Sequence, residues 1–261
     1  MLKKIFRSIA VAFSIYSRIP MPQFIWNSND MKYDMIFFPW VGGVIGAVML
    51  AWYKLSDYLQ VGKMGQVLIL VAIPLIITGG FHFDGFMDTE DALRSYKGKE
   101  ERLKIMEDPH IGAFAVIGAF VYILILTGTM SMIGSNKGFY IIFCSFFLVR
   151  CLSGILTQIL KSAKKSGMLK DTKDNSGNKV KIFLIIQMLL ALIFILYISI
   201  PFGMGVALVM VCYILIFKHR SYKLFGGVTG DLLGRFLCVA ELLIVISIFL
   251  IENILKLAKI Y

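Results

Sequence analysis

Charge is what this chain has least of. Asp, Glu, Lys and Arg make up 16% of its 261 residues, where an ordinary soluble domain carries about a quarter. With 58% hydrophobic residues and a mean hydropathy of +0.80, the chain cannot cover a water-facing surface with polar groups, and a soluble globular fold is excluded. Cysteine is also scarce. Cys144, Cys151, Cys212 and Cys238 all lie in apolar stretches and none forms a CxxC pair. They read as small buried hydrophobes, and no disulfide framework is implied. Acidic residues are outnumbered 27 to 16 by Lys and Arg, for a net charge of +11. No aromatic-basic surface module accompanies that charge, so no nucleic acid is expected as a partner.

What is present is long apolar runs, which make the lipid bilayer the expected solvent. A membrane-crossing helix needs roughly 20 mainly apolar residues. Seven segments meet or approach that length: 35–53, 65–80, 112–133, 138–160, 182–200, 202–217 and 236–256. The expected fold is therefore all-α, a polytopic integral membrane helical bundle of about seven transmembrane helices. Residues 1–261 are expected to form one membrane-embedded domain. The start of the chain, MLKKIFRSIAVAFSIYSRIP, has a basic opening and a short apolar run but no small-residue cleavage site. It predicts an amphipathic helix at the membrane surface rather than a removable signal.

The basic residues sort by loop. Segments 1–34, 81–111, 161–181 and 218–235 carry five, five, seven and four of the 27 Lys and Arg residues. The alternate connections carry five in all, and Arg150 lies within a span. Lys and Arg are retained on the cytoplasmic side during insertion, so the long polar loops are predicted to face the cytoplasm. Function is expected on that face, in the cell (inner) membrane. Residues 170–179, KDTKDNSGNK, read as a flexible loop.

The densest chemistry lies in Gly79–Asp91, GGFHFDGFMDTED. Asp84, Asp88 and Asp91 have i, i+4, i+7 spacing, which puts them within roughly 60° of one another on a helix. Three carboxylates on one face repel unless a cation lies among them. Oxygen-only ligands suit Mg²⁺, which keeps waters or substrate phosphates in its shell. A charge run is most often a solvated face, but this one follows directly from the apolar stretch VLILVAIPLIITGG and so lies at the membrane surface. Gly80 and Gly85 permit close backbone approach. On the same helix His82 points roughly opposite the aspartates.

Three other places stand out. GGVTGDLLG, 226–234, opens the last span, with Thr229 as a helix cap, Gly230 beside it and Asp231 in the first turn. Ten residues on, Glu241 is an intramembrane acid, and Arg150 lies mid-span in FFLVRCLSG. Such residues are costly in lipid and are candidates for substrate contact, or for an ion pair of Glu241 with Arg150 or Arg235. IMEDPHIGAF, 105–114, places Asp108 and His110 around Pro109 at a span entry, which reads as a helix start or a catalytic pair.

Taken together, these segments resemble the cobalamin synthase family, the adenosylcobinamide-GDP ribazoletransferases. Gly79–Asp91 matches its GGxHxDGxxDxxD signature, and YSRIPMP, FFPWVGGVIGA, IMEDPHIGAFAV and GGVTGDLLG follow in the family's order along the whole chain. Pro109, Ala115 and Arg235 depart from the family's serine, glycine and alanine, and lysines replace arginine in SAKKSGMLK, 162–170. The resemblance implies that α-ribazole or its 5′-phosphate is joined to adenosylcobinamide-GDP, with GMP released and adenosylcobalamin or its phosphate formed. It also implies Mg²⁺ as cofactor, held by Asp84, Asp88, Asp91 and Asp231. It further implies that Asp84, Asp88, Asp91 and His82 are the catalytic candidates, and Gly80, Gly85, Asp108, Arg150, Thr229, Gly230 and Glu241 the substrate-binding ones. A homo-oligomer is compatible with all of this. Two rivals remain: a CDP-alcohol phosphotransferase of lipid synthesis, whose DGxxAR pattern fits poorly because Asp88 and Thr89 stand in the AR places, and a cation transporter.

Overall fold

The computed structural model describes residues 2–26, 33–164 and 177–258. Among them are ten helices: α1 (Leu2–Tyr16), α2 (Asp34–Tyr58), α3 (Lys63–Thr78), α4 (Phe81–Arg94), α5 (Lys99–Ile105), α6 (Ala113–Met132), α7 (Asn136–Ile159), α8 (Asn178–Ile198), α9 (Ile200–Phe225) and α10 (Gly230–Leu257). The only pairing of extended chain among these residues is an isolated bridge, Ser162 to Val228. Six helices, α2 and α6 to α10, are long and apolar enough to cross a membrane. The protein is a polytopic helical membrane bundle.

The predicted second span, 65–80, behaves differently from the other six. α3 has only 16 residues, about 24 Å at 1.5 Å per residue, short of a hydrocarbon layer of about 30 Å. It ends on Gly79 and Gly80, both left-handed at φ 64° and 80°. A residue with a Cβ resists that conformation. The two glycines turn the chain by 97° into α4. α4 carries Asp84, Asp88, Glu90, Asp91 and Arg94, so we place it across the end of the bundle, outside the spans.

The central helix is α7, which α2, α8 and α10 flank. Without a hydrophobic force to bring helices together in lipid, close backbone contact does that work. A Cβ at Gly42 or Gly46 of α2 would collide with the Phe146 and Phe143 carbonyls of α7. At the edge, α8 turns Ile186, Leu190, Ile193 and Phe194 outward, as a lipid-facing helix should. α1 is more than a surface float. Ala10, Val11, Ala12, Phe13 and Tyr16 are buried against the bundle, while Lys4, Ile5 and Phe6 stay exposed.

Contacts sort the loops into two ends. At one end, Arg18 N–H donates to the Ile77 carbonyl at 2.8 Å, Lys164 pairs with Glu107 at 2.9 Å, and Val228 N–H donates to the Lys161 carbonyl at 2.9 Å. At the other, Tyr53 O–H donates to Asn136 at 2.6 Å, and the buried Glu252 carboxylate accepts from Gly134 N–H at 3.1 Å, Ser135 N–H at 3.2 Å and Lys256 at 2.6 Å. The first end holds the described parts of the four Lys- and Arg-rich segments. The predicted flexible stretch 170–179 falls largely outside the described residues.

Candidate functional site

α4 crosses the first turn of α10 closely enough that side chains are excluded at the contact. A Cβ on Gly85 would come within 2.7 Å of Asp231 Cα, and one on Gly234 within 2.8 Å of the His82 carbonyl. This packing sets the aspartate face of α4 beside Asp231. Asp231 is fixed in turn by the α10 cap, where Thr229 Oγ1 accepts from Leu232 N–H at 3.2 Å, as the sequence predicted.

The four carboxylates feel one another. Asp84 is exposed, and Asp88, Asp91 and Asp231 are half-buried. Burial first, then the charges of Asp84, Asp231 and Asp91, push the Asp88 carboxyl up to about 6. Such a group gains from a cation. Among the described residues, however, no three His, Cys, Asp or Glu side chains converge closely enough to hold an ion by themselves. The donor set therefore suits Mg²⁺ taken by one or two carboxylates and completed by waters and substrate phosphates, rather than an all-protein cage.

Asp91 already has partners. Its Oδ2 accepts from Gly112 N–H at 2.8 Å and its Oδ1 from Ala115 N–H at 3.0 Å, at the start of α6. Gly112, the N-cap residue, has no side chain to satisfy these donors, and the carboxylate supplies the cap from 21 residues away. Each oxygen keeps a further lone pair. Asp108 is exposed and pairs with His110. It accepts from His110 N–H at 2.9 Å and meets His110 Nδ1 at 2.7 Å, and these bonds hold its carboxyl below the usual range. Gly80 forms the α3–α4 turn, with open space where a side chain would stand.

His82 faces away from the aspartates, as its helical position predicted. Its ring stacks on Tyr16 at 6.2 Å between centroids and is buried, and Nδ1 has no protein partner. Burial and the nearby Arg150 guanidinium hold it well below its ordinary pKa. It lines an interior cavity of about 40 Å³ with Tyr122, Arg150 and Glu241. Arg150 and Glu241 meet each other there: Arg150 donates to the Glu241 carboxylate at 3.0 Å and to the Phe146 carbonyl at 2.9 Å. Their mutual pairing, one of the sequence-level alternatives, is thus present on the far side of α4 from the aspartates.

Sequence reasoning missed two features of this end. Glu90, inside the MDTED run, accepts from Arg235 Nε and Nη2 at 3.1 Å and from Arg94 at 3.3 Å. Lys164 is drawn close enough to Asp231 to offset its charge by the Ser162–Val228 bridge. Neither partnership leaves a periodic trace, although Arg235 was visible as a departure from the family pattern.

Fold and site define a membrane-embedded helical protein with a carboxylate cluster at its polar end. The chain belongs to the cobalamin-5-phosphate synthase family, whose pattern it matches over residues 8–249. Among its relatives, the adenosylcobinamide-GDP ribazoletransferase of Lachnoclostridium phytofermentans is 38% identical over 251 residues, 95% of each chain. The proteins of the same name from Clostridium botulinum (strain Alaska E43) and Clostridioides difficile are 32% and 30% identical, covering 92% and 90% of this chain and 96% and 94% of their own. No solved structure gives a significant match.

Proposed function

We propose that this protein joins α-ribazole, or its 5′-phosphate, to adenosylcobinamide-GDP and releases GMP, at a Mg²⁺ site on the cytoplasmic face of the cell membrane. The observation that carries the reading is the close packing of α4 on α10, which sets the face of Asp84, Asp88 and Asp91 beside Asp231, in a chain of this family. A hydroxyl of the ribazole ribose attacks the phosphorus nearer the cobinamide. The new P–O bond replaces the one to the GMP phosphate, and GMP leaves. Mg²⁺, when bound, offsets the charge that develops on the pyrophosphate oxygens.

The protein's own residues divide the rest. With Mg²⁺ bound, one or two of Asp84, Asp88 and Asp231 would supply its protein oxygens, and Asp91 spends most of its capacity seating α6 beside them. The hydroxyl proton goes to a carboxylate of the cluster, because His82 points into the bundle and burial makes its imidazole a weaker base than usual. Thr229 and Gly230 set the start of α10 that presents Asp231. Lys164, paired with Glu107, also offsets the Asp231 charge. Arg150 and Glu241 act from behind α4, through the cavity that His82 closes. The cytoplasmic assignment rests on the Lys and Arg count and suits nucleotide substrates.

The test is GMP release from adenosylcobinamide-GDP plus α-ribazole by the protein in proteoliposomes, with and without Mg²⁺. Chelation is expected to abolish release and Mg²⁺ to restore it. Turnover of a CDP-alcohol instead, or cation flux indifferent to nucleotide, would overturn the assignment. The position of the aspartates already disfavours a transporter, whose ion sites lie near the bilayer midplane.

A further inference from the structure

Three points fix α4 on α10. Two are the close backbone contacts at Gly85 and Gly234. The third is an ion pair. Arg235, in the second turn of α10, directs both Nε and Nη2 at Glu90 Oε1, each at 3.1 Å, and the two side chains are only 19% and 10% exposed. Arg94 meets the other oxygen, Oε2, at 3.3 Å, and the Glu90 Cγ packs where a Cβ of Gly118 on α6 would stand. Glu90 thus joins α4, α6 and α10 from the position next to Asp91, two residues from Asp88. Glu90 stands at an unspecified position of GGxHxDGxxDxxD and Arg235 where the family pattern has alanine, and neither faces the aspartate cluster.

We propose that the Glu90–Arg235 pair is the positioning device of the aspartate site, holding α4 at the register on α10 that sets Asp84 and Asp88 beside Asp231. The inference rests on the metal reading of that site. Its physical basis is asymmetric. A half-buried pair contributes little net stability, but removing one partner strands the other's charge in a place that was built for two. A stranded Arg235 would be drawn toward the aspartates. A stranded Glu90 would add a partly compensated negative charge two residues from Asp88. Either disturbs the metal site itself, and removing both leaves only the backbone contacts at Gly85 and Gly234, without the tie that sets the register.

The experiment is a double-mutant cycle on the full-length protein in lipid nanodiscs. Mn²⁺, which takes the same oxygen ligands as Mg²⁺, is titrated by electron paramagnetic resonance, and GMP release is followed against Mg²⁺ concentration. Glu90→Gln and Arg235→Met are each expected to weaken Mn²⁺ binding on the order of tenfold and to raise the Mg²⁺ needed for half-maximal rate by the same factor. The double variant is expected to lose about as much as either single and no more, since the two residues act as one tie and contacting residues are non-additive. Arg235→Lys, keeping charge without the paired donors, is expected to fall between. Singles that bind Mn²⁺ like the parent, or a double variant that loses as much as the two singles combined, overturn the proposal. Asp88→Asn serves as the discriminating control: if it too binds Mn²⁺ normally, the metal reading fails and takes the positioning role with it. If Asp88→Asn loses the ion while both singles keep it, only the positioning role fails.

Discussion

Asp88 is the carboxylate with most to gain from a bound cation. Burial and three neighbouring aspartates oppose its ionisation, and nothing basic contacts it among the described residues. Asp88→Asn keeps the shape and removes the charge. GMP release is expected to fall about a thousandfold, the several kcal/mol a metal contributes to charge stabilisation, while the protein still inserts and purifies as a folded bundle. Near-normal Mg²⁺-dependent release by this variant would remove Asp88 from the site. Asp91 is expected to behave differently. Because both its oxygens accept from the α6 start, Asp91→Ala should lower stability by about 1 kcal/mol, the usual worth of a helix cap, alongside its effect on rate. A thermal scan separates the two: Asp88→Asn leaves the melting temperature of the metal-free protein unchanged or raised, and Asp91→Ala lowers it. The i, i+4, i+7 spacing revealed that these carboxylates share a face. It could not reveal that one of them is shared with Gly112, because a side-chain cap supplied from 21 residues away has no period.

At the scale of elements, the junction of α4 with α10 decides the geometry of the site, and glycine makes the junction possible. Gly85→Ala places a methyl group 2.7 Å from Asp231 Cα, where only backbone can yield. Overpacking of this kind costs about 1 to 3 kcal/mol. The shift it forces moves Asp231 away from Asp84 and Asp88, so the expected signature is a raised Mg²⁺ requirement as well as lower stability. Unchanged Mg²⁺ dependence in Gly85→Ala would show that the two helices need not touch there. The apolar runs made six spans legible, although α9 runs on to Phe225 past the predicted 202–217 and α10 starts at Gly230 before the predicted 236–256, and GGVTGD made the Thr229 cap legible. The second predicted span was less so. Residues 65–80 are apolar enough to be a crossing, but two consecutive left-handed glycines stop the helix at Thr78 and turn it through 97°. Hydropathy averages over a window and is blind to a turn that two residues make.

The molecule as a whole is polar at one end and nearly charge-free along its middle, with Arg150 and Glu241 as the exception. The sorting of Lys and Arg by loop was legible because it depends on count alone. Contacts such as Lys164–Glu107 and Arg18–Ile77 then bring those loops to one end of the bundle. What links that end to a compartment is the rule that basic loops stay inside, and it yields a direct expectation. Gly98, between α4 and α5, and Gly62, at the opposite end, both have open space where a side chain would project. Each can be replaced by cysteine in a background whose four native cysteines, three of them buried or half-buried in spans, are changed to alanine. In intact cells stripped of their wall, a membrane-impermeant maleimide is expected to label Gly62→Cys and to spare Gly98→Cys, which should react only after permeabilisation. The opposite pattern would put the aspartates outside the cell. It would separate them from cytoplasmic nucleotides and leave the positive-inside count without a topology to explain. Labelling of both sites before permeabilisation would mean that α2 and the α3–α4 hairpin do not carry the chain across and back. In that case the turn at Gly79 and Gly80 would lie in the membrane rather than at its edge.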